Sequence, residues 1–219
     1  MLSKETNEMI TGVGPGTPGG ELLRRYWQPV CYASDLGNRA TLRVKMLDEE
    51  LVAYRDKQGN YGLLAEKCTH RHASLAYGFV EDGATLRCPY HGWKYNAQGR
   101  VIEQPFEPKG SNLKDEIRHP AYPVQKLGGV LFAYMGPLPA PLLPRWDILV
   151  RKDGLRRLER RPQVNANWLQ AQENSADVTH TYYLHGHMLA TRGVEDRALD
   201  TYYRPFLEYS FLPFKWGLL

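Results

Sequence analysis

The residues with the clearest chemistry lie in "CTHRHASLAYGFVEDGATLRCPYHGWKY", positions 68–95. One residue separates Cys68 from His70, two separate Cys88 from His91, and seventeen lie between His70 and Cys88. Thiolate and imidazole together suit zinc or an iron–sulfur cluster. A single zinc could take two cysteines and two histidines, but zinc fingers usually pair Cys with Cys in one turn and His with His in another. Here each turn carries one of each. A [2Fe–2S] centre in which two imidazoles replace two thiolates on one iron asks for that arrangement.

A second group follows in "ENSADVTHTYYLH", which holds Glu173, Asn174, Asp177, His180 and His185. Asp177 and His180 are three apart and share a face if the segment is helical. His180 and His185 are five apart, about 140° of rotation in a regular α-helix. Both can point at one metal only if the helix widens into a π-turn or ends between them. Gly186, directly after His185, makes an ending plausible. Two histidines and one carboxylate with open positions suit a non-haem Fe(II) centre. The spacing alone leaves a polar helix face, or buried histidines with ordinary partners, as an equal reading. His187 lies outside the pattern.

These residues need elements to position them. A Gly/Pro-rich entry, "GVGPGTPGG", leads to a short helix, "ELLRRYW". From Pro29 to about Tyr134 the signals are of short strands: "LRVKML", "ELVAYRD", "YGLLAEK", "TLRC", "WKYN" and "VLFAYMG", broken by turns such as "DKQGN" and "NAQG". That is an all-β module. "GPLPAPLLP" reads as a linker or stiff crossing. Beyond it, a helix is expected from Asn165 or Asn167, either of which could cap it, to near Gly186. The final stretch, "TYYRPFLEYSFLPFKWGLL", is expected to be a strand and looks cut short inside a domain.

Composition narrows the classes. The chain has 219 residues, 42% apolar and 24% charged, with net charge +4. No long basic run is interleaved with aromatics, so nucleic acid is not an expected partner. "RKDGLRRLERR", Arg151–Arg161, is expected to be a solvated strand or hairpin. No apolar leader opens the chain, and the longest uncharged run, Leu127–Pro144, holds four prolines and three glycines, so no membrane helix is expected. Three cysteines, two of them beside histidines and Cys31 alone, do not make a disulfide framework, which points to the cytoplasm.

"CTH" followed by "CPYHGW" resembles the Rieske motif, C-x-H-x17-C-x2-H. The resemblance implies that Cys68 and Cys88 bind the inner iron of a [2Fe–2S] cluster, and His70 and His91 the outer one. Respiratory Rieske proteins typically add a cysteine to each loop; those positions are Ala73 and Tyr90 here, as in the oxygenase and ferredoxin kind. His72 is then a surface or supporting group. "ENSADVTHTYYLH" resembles the E-x3-D-x2-H-x4-H segment of Rieske non-haem iron oxygenases, placing His180 and His185 as ligands of a mononuclear Fe(II). The opening "GVGPGTPGGELLRRYWQPV" is similar to the phthalate-dioxygenase-like branch of α subunits, which includes members that demethylate methoxylated biaryls.

The resemblance implies an α+β chain: an all-β Rieske domain followed by the first part of a helix-on-antiparallel-sheet catalytic domain. The expected divisions are 1–28 for an N-terminal helical segment, 29–138 for the Rieske domain and 139–219 for the incomplete catalytic domain. It also implies electrons from a ferredoxin or an NAD(P)H-dependent reductase, O2 as oxidant, and hydroxylation or O-demethylation of a small aromatic substrate. In a homotrimer, Asp177 would bridge a cluster histidine of one subunit and an iron-ligand histidine of the next. The family's third iron ligand is a carboxylate far downstream. This chain ends 34 residues after His185, and Glu195, Asp196, Asp200 and Glu208 come too early to match. The alternative is an electron-transfer module without its own catalytic iron.

Overall fold

A computed structural model describes residues 2–37, 39–108, 110–159, 164–193, 210–215 and 217–218. The chain divides into two compact units, residues 1–161 and 162–219. It mixes helices with antiparallel sheet throughout.

The first unit opens with α1 (Lys4–Thr11) and α2 (Pro18–Leu23). Thr17 caps α2 by accepting the Gly20 N–H, and Pro18 occupies the first helical position, where no N–H is needed. The segment read as "ELLRRYW" stops being helical before Trp27, which begins β1 (Trp27–Tyr32). Arg24 then ties this entry to the sheet. Its buried guanidinium meets Glu49 Oε1 at 2.5 Å and donates to the Leu47 carbonyl at 3.0 Å, while Tyr122 donates to Glu49 Oε2 at 2.6 Å.

Three antiparallel sheets follow. β2 (Thr41–Met46), β3 (Glu49–Arg55) and β4 (Tyr61–Ala65) form the middle one. β5 (Phe79–Glu81), β6 (Thr85–Arg87), β7 (Lys94–Asn96) and β8 (Val101–Glu103) form the second. β1 pairs with β10 (Val130–Tyr134), which pairs with β9 (Val124–Leu127). The six strand segments expected from the sequence are all strands. "LVAY" in β3 is buried on both faces, which is why it is a continuous apolar run rather than an alternating one. Leu51 and Ala53 enter one core with Leu63, Leu131 and Ala133. Val52 and Tyr54 enter the other with Leu64, Leu86, Trp93 and Tyr95, and that second core contains Cys68 and Cys88. Full burial of each such side chain is worth about 1.5–3 kcal/mol, so the cysteines sit where the packing is least yielding.

The segment "GPLPAPLLP" is not a free linker. Trp27 donates its indole N–H to the Pro141 carbonyl at 2.9 Å, and Ala140, Leu143 and Leu149 pack on Trp27, Phe132 and Tyr134. Compactness therefore extends past the expected division at residue 139, through the short α4 (Asp147–Val150). Residues 151–159 are exposed, as expected of a solvated stretch, but irregular rather than a strand. Arg156 turns back to donate to the Ile148 and Arg151 carbonyls.

The second unit contains α5 (Trp168–Ala176), a π-helix (Thr181–His187) and α6 (Met188–Thr191). Asn167 is the cap of α5, its side chain accepting the Gln170 N–H at 3.0 Å. The expected single helix ending near Gly186 differs from this in two ways. It breaks at Asp177, whose backbone is extended (φ −83°, ψ 107°), and it continues past Gly186 to Thr191. The break has a local cause. Asp177 Oδ1 accepts from the Thr179 N–H and hydroxyl at 2.8 and 2.7 Å, so the side chain caps the following turn instead of joining the preceding one. Of the expected C-terminal strand, Pro213–Phe214 pairs with Gly217–Leu218; most of the remainder, and Glu195, Asp196, Asp200 and Glu208, lie outside the described residues. Among the described residues no helix is long and apolar enough to cross a membrane.

Candidate metal centres

The two Cys–His loops have the same backbone design. In the first, Cys68 N–H bonds to the Ala73 carbonyl at 2.9 Å and His72 N–H to the Cys68 carbonyl at 2.8 Å. In the second, Cys88 N–H bonds to the Trp93 carbonyl at 2.8 Å and Gly92 N–H to the Cys88 carbonyl at 3.1 Å. His72 (φ +56°) and Gly92 (φ +73°) are the left-handed residues that close each loop. His72 therefore occupies the place glycine occupies in the other loop, with its side chain exposed, which fits the expectation that it is no ligand.

Each loop is anchored by charge. Arg87 pairs with Glu81 at 2.6 Å and Glu103 at 2.7 Å, and donates to the Gly92 carbonyl at 2.9 Å; Lys94 also meets Glu81, at 2.8 Å. Arg43 donates to Glu66 at 3.0 Å and to Ser74 at 2.9 Å, and Ser74 donates to Glu66, bracing the stem of the first loop. These partners include residues of five strands, β2, β5, β6, β7 and β8, so the loops cannot shift independently of the sheets.

The loops bring all four expected residues together, with a gradient of burial. Cys68 and Cys88 are 1% and 2% exposed, while His70 and His91 are half-buried. The His70 and His91 rings lie 4.7 Å apart, edge to face. Trp93 of the second loop stacks on His70 of the first at 4.6 Å and 3°, fixing the plane of that imidazole. Tyr90 covers His91 at 3.8 Å.

The sulfurs sit among donors. Tyr95, fully buried, places its hydroxyl 3.1 Å from Cys68 Sγ. The Cys68 thiol is pulled down to about 5, first by Cys88, then, against burial, by Tyr95 and the His70 and Arg71 backbone N–H groups. The Cys88 thiol is pushed up, first by Cys68 and then by burial, while the Tyr90 and His91 N–H groups oppose this. Both loops thus aim backbone N–H groups at sulfur, an arrangement that stabilises thiolate charge. His91 Nδ1 is buried without a hydrogen-bond partner. An orphaned imidazole nitrogen beside two donor-rich sulfurs fits a group that binds soft thiolate and imidazole. Among the described residues no three His, Cys, Asp or Glu side chains gather closely enough to hold one ion. A cluster that asks two side chains of each iron does not need three.

In the second unit the π-helix does what the five-residue spacing required. Its wider turn brings the His180 and His185 rings to 5.3 Å, edge to face. Asp177 Oδ2 lies 3.2 Å from His180 Nδ1, close enough for an ion pair but not aligned as a hydrogen bond. The Asp177 carboxyl is held below the usual range, first by the Thr179 hydroxyl and then by its backbone N–H. Asp177 and His180 do meet, through the break rather than along one helical face. The two imidazoles can supply two positions of a metal site. Glu173 is exposed, its carbonyl accepting the Asp177 N–H at 3.0 Å.

Residues 26–125 match the family model for the Rieske [2Fe-2S] domain. The chain carries a Rieske domain. Over 190 residues, 84% of its length, it is 52% identical to the 5,5'-dehydrodivanillate O-demethylase oxygenase subunit of Sphingobium sp. (strain NBRC 103272 / SYK-6), covering 44% of that relative. It is 35% identical over 190 residues to the phthalate 4,5-dioxygenase oxygenase subunit of Pseudomonas putida, covering 84% of this chain and 42% of that relative. Among solved structures, the oxygenase in the reduced complex between oxygenase and ferredoxin in carbazole 1,9a-dioxygenase aligns at TM-score 0.58 and 26% identity, over 73% of this chain and 41% of that one. By sequence the chain is similar to proteins named as oxygenase subunits of O-demethylase and dioxygenase systems. It spans less than half the length of the curated relatives it matches.

The motif residues were legible from the sequence; their supports were not. Tyr95, Thr69, His119, Trp93 and Arg87 hold the site; all but His119 fall in the quoted stretch, yet nothing in their spacing marks them as supports. A buried tyrosine in a three-residue strand is a weak signal for a sulfur ligand's partner.

Proposed function

We propose that Cys68 and Cys88 hold one iron, and His70 and His91 the other, of a [2Fe–2S] cluster that feeds a mononuclear Fe(II) whose ligands include His180 and His185. The observation carrying this reading is the burial gradient: thiols inside, donor-surrounded, and imidazoles at the rim. A bound cluster would supply one-electron storage at roughly −150 to +300 mV. The chain's own residues set the conditions. Tyr95 and the loop N–H groups stabilise negative charge on sulfur. Trp93 and Tyr90 keep the two rings in place. The half-buried imidazoles offer the shortest way out for an electron, since the cysteines are sealed in the core.

In the second unit, Asp177 orients His180 and, in a trimer, bridges to a cluster histidine of the neighbouring subunit. A carboxylate between imidazoles fixes both rings and couples their protonation. The proposed functional divisions are 1–28, 29–138 and 139–219. The substrate class is a small aromatic, hydroxylated or O-demethylated with O2, as the names of the relatives suggest. The electron donor is a ferredoxin or an NAD(P)H-dependent reductase. The test is metal and sulfide analysis with EPR on the purified chain. Iron and labile sulfide in equal amounts, with iron in excess when the second site fills, are expected. Zinc without sulfide would refute the reading.

A further inference from the structure

Cys68 lies between two residues gripped by one buried imidazole. His119, 2% exposed, belongs to neither Cys–His pair. Its Nε2 is 2.9 Å from the carbonyl of Ala65, which ends β4, and its Nδ1 is 2.5 Å from Thr69 Oγ1. Ala65 comes three positions before Cys68 and Thr69 one after it. The third contact is with the residue that meets the sulfur. The Tyr95 ring packs on the imidazole at 4.5 Å, and the Tyr95 hydroxyl is 3.1 Å from Cys68 Sγ.

The backbone behind the ring is pinned as well. His119 N–H bonds to the Gly99 carbonyl at 2.8 Å, and Gly99 N–H to the carbonyl of Asn96, next to Tyr95 on β7, at 2.9 Å. A Cβ on Gly99 (φ +73°) would lie 1.9 Å from the His119 oxygen, so the two backbones touch. The proton positions follow. A carbonyl only accepts, so Nε2 carries the imidazole proton. Burial holds this histidine's pKa below its ordinary value, so the ring is neutral and Nδ1 accepts from the Thr69 hydroxyl. Ala65, Thr69 and Tyr95 thus each have one fixed place on one ring.

We infer that His119 is a positioning residue that holds the Tyr95 hydroxyl at bonding distance from Cys68 Sγ, and through that hydrogen bond raises the potential of the cluster. This rests on the [2Fe–2S] reading above. The bond joins two separate pieces of chain, since Tyr95 comes from β7 and Cys68 from the loop after β4. Its length depends on how those pieces are spaced. His119 spans them, through Ala65 and Thr69 on one side and Tyr95 and Gly99 on the other. A hydrogen bond to sulfur favours the more negative, reduced state and so enters the potential. A residue that only orients a ligand's neighbour still tunes the metal. With Thr69 released from Nδ1, the first loop gains play against Tyr95, the bond loosens, and the reduced state loses stabilisation.

The experiment is an EPR-monitored redox titration of the cluster-loaded chain. Thr69→Val removes the hydroxyl at nearly constant shape. His119→Gln keeps a donor for the Ala65 carbonyl but loses the acceptor for Thr69. Each is expected to lower the potential, by about three- to tenfold in the one-electron reduction constant, about 28–59 mV. Thr69→Ser, which keeps the hydroxyl, should hold the parent potential. In a Tyr95→Phe background neither Thr69→Val nor His119→Gln should lower it further, whereas a general loosening of the loop would add to the Tyr95→Phe shift. If one of the two variants loses its cluster, the other decides. An unchanged potential, or a shift that persists in the Tyr95→Phe background, would overturn the inference while leaving the cluster reading intact. A parent chain that forms no cluster would overturn both.

Discussion

Removing the Tyr95 hydroxyl should lower the cluster potential measurably. The hydroxyl lies 3.1 Å from Cys68 Sγ in a fully buried setting. A hydrogen bond to a charged acceptor contributes about 1.5–3 kcal/mol. Only the difference between oxidation states enters the potential. The reduced cluster carries one more negative charge, so the donor stabilises it more. Taking that difference as about 1–2 kcal/mol, and 59 mV per tenfold, or about 1.4 kcal/mol, for one electron, Tyr95→Phe should lower the potential by about 40–85 mV. The phenyl ring stays, so the contacts with His119 and the core survive. The assay is a redox titration followed by visible circular dichroism, with EPR confirming an intact cluster. An unchanged or raised potential in a cluster-loaded variant would refute the reasoning, because it would mean the hydroxyl does not donate to sulfur.

Three further outcomes follow from the geometry. His72→Gly should keep the cluster and raise stability by about 0–1.5 kcal/mol, since relief of a left-handed side chain (about 1–2 kcal/mol) is offset by glycine's entropy (about 0.5–1); loss of the EPR signal would make His72 a ligand after all. On the proposed function, Asp177→Asn should leave both metals bound yet slow turnover by about 10–100-fold; a parent single-turnover rate would sink the bridging role. Arg87, then Lys94, hold the Glu81 carboxyl down to about 2, from an ordinary 4.5. A depressed folded pKa gives stability that is full above about pH 4.5 and is lost as pH falls through about 2. Acid unfolding should therefore be less steep in that window for Glu81→Gln, and identical profiles would show that the network does not brace the second loop.

The sequence carried more of the site than of its surroundings. Both Cys–His spacings, the six strands and the Asn167 cap could be read locally, because each depends on residues a few positions apart. The π-helix could be deduced as one of two options, because five residues do not return to one face of a regular helix. The break at Asp177 could not, since a carboxylate that shares a helix face on paper is equally able to cap the next turn, and Thr179 decides between them. The packed course of "GPLPAPLLP" was also hidden. Proline-rich composition suggests a linker or stiff crossing, but Trp27, more than a hundred residues earlier, captures it by one hydrogen bond and an apolar patch.

By itself, then, the sequence determined which atoms could bind metal and in what order they occur, because ligand spacing is set by single turns. The tertiary structure decided how those atoms are tuned. Tyr95 reaches Cys68 across 27 positions, and His119 reaches Thr69 across 50. His72 turns out to be the counterpart of Gly92 only once both loops are closed. Thiols end up sealed and imidazoles at the rim because Cys68 and Cys88 join the core packed against β3 and β4. Such relations depend on which strands pair and which faces are buried, and no local spacing in the chain encodes them.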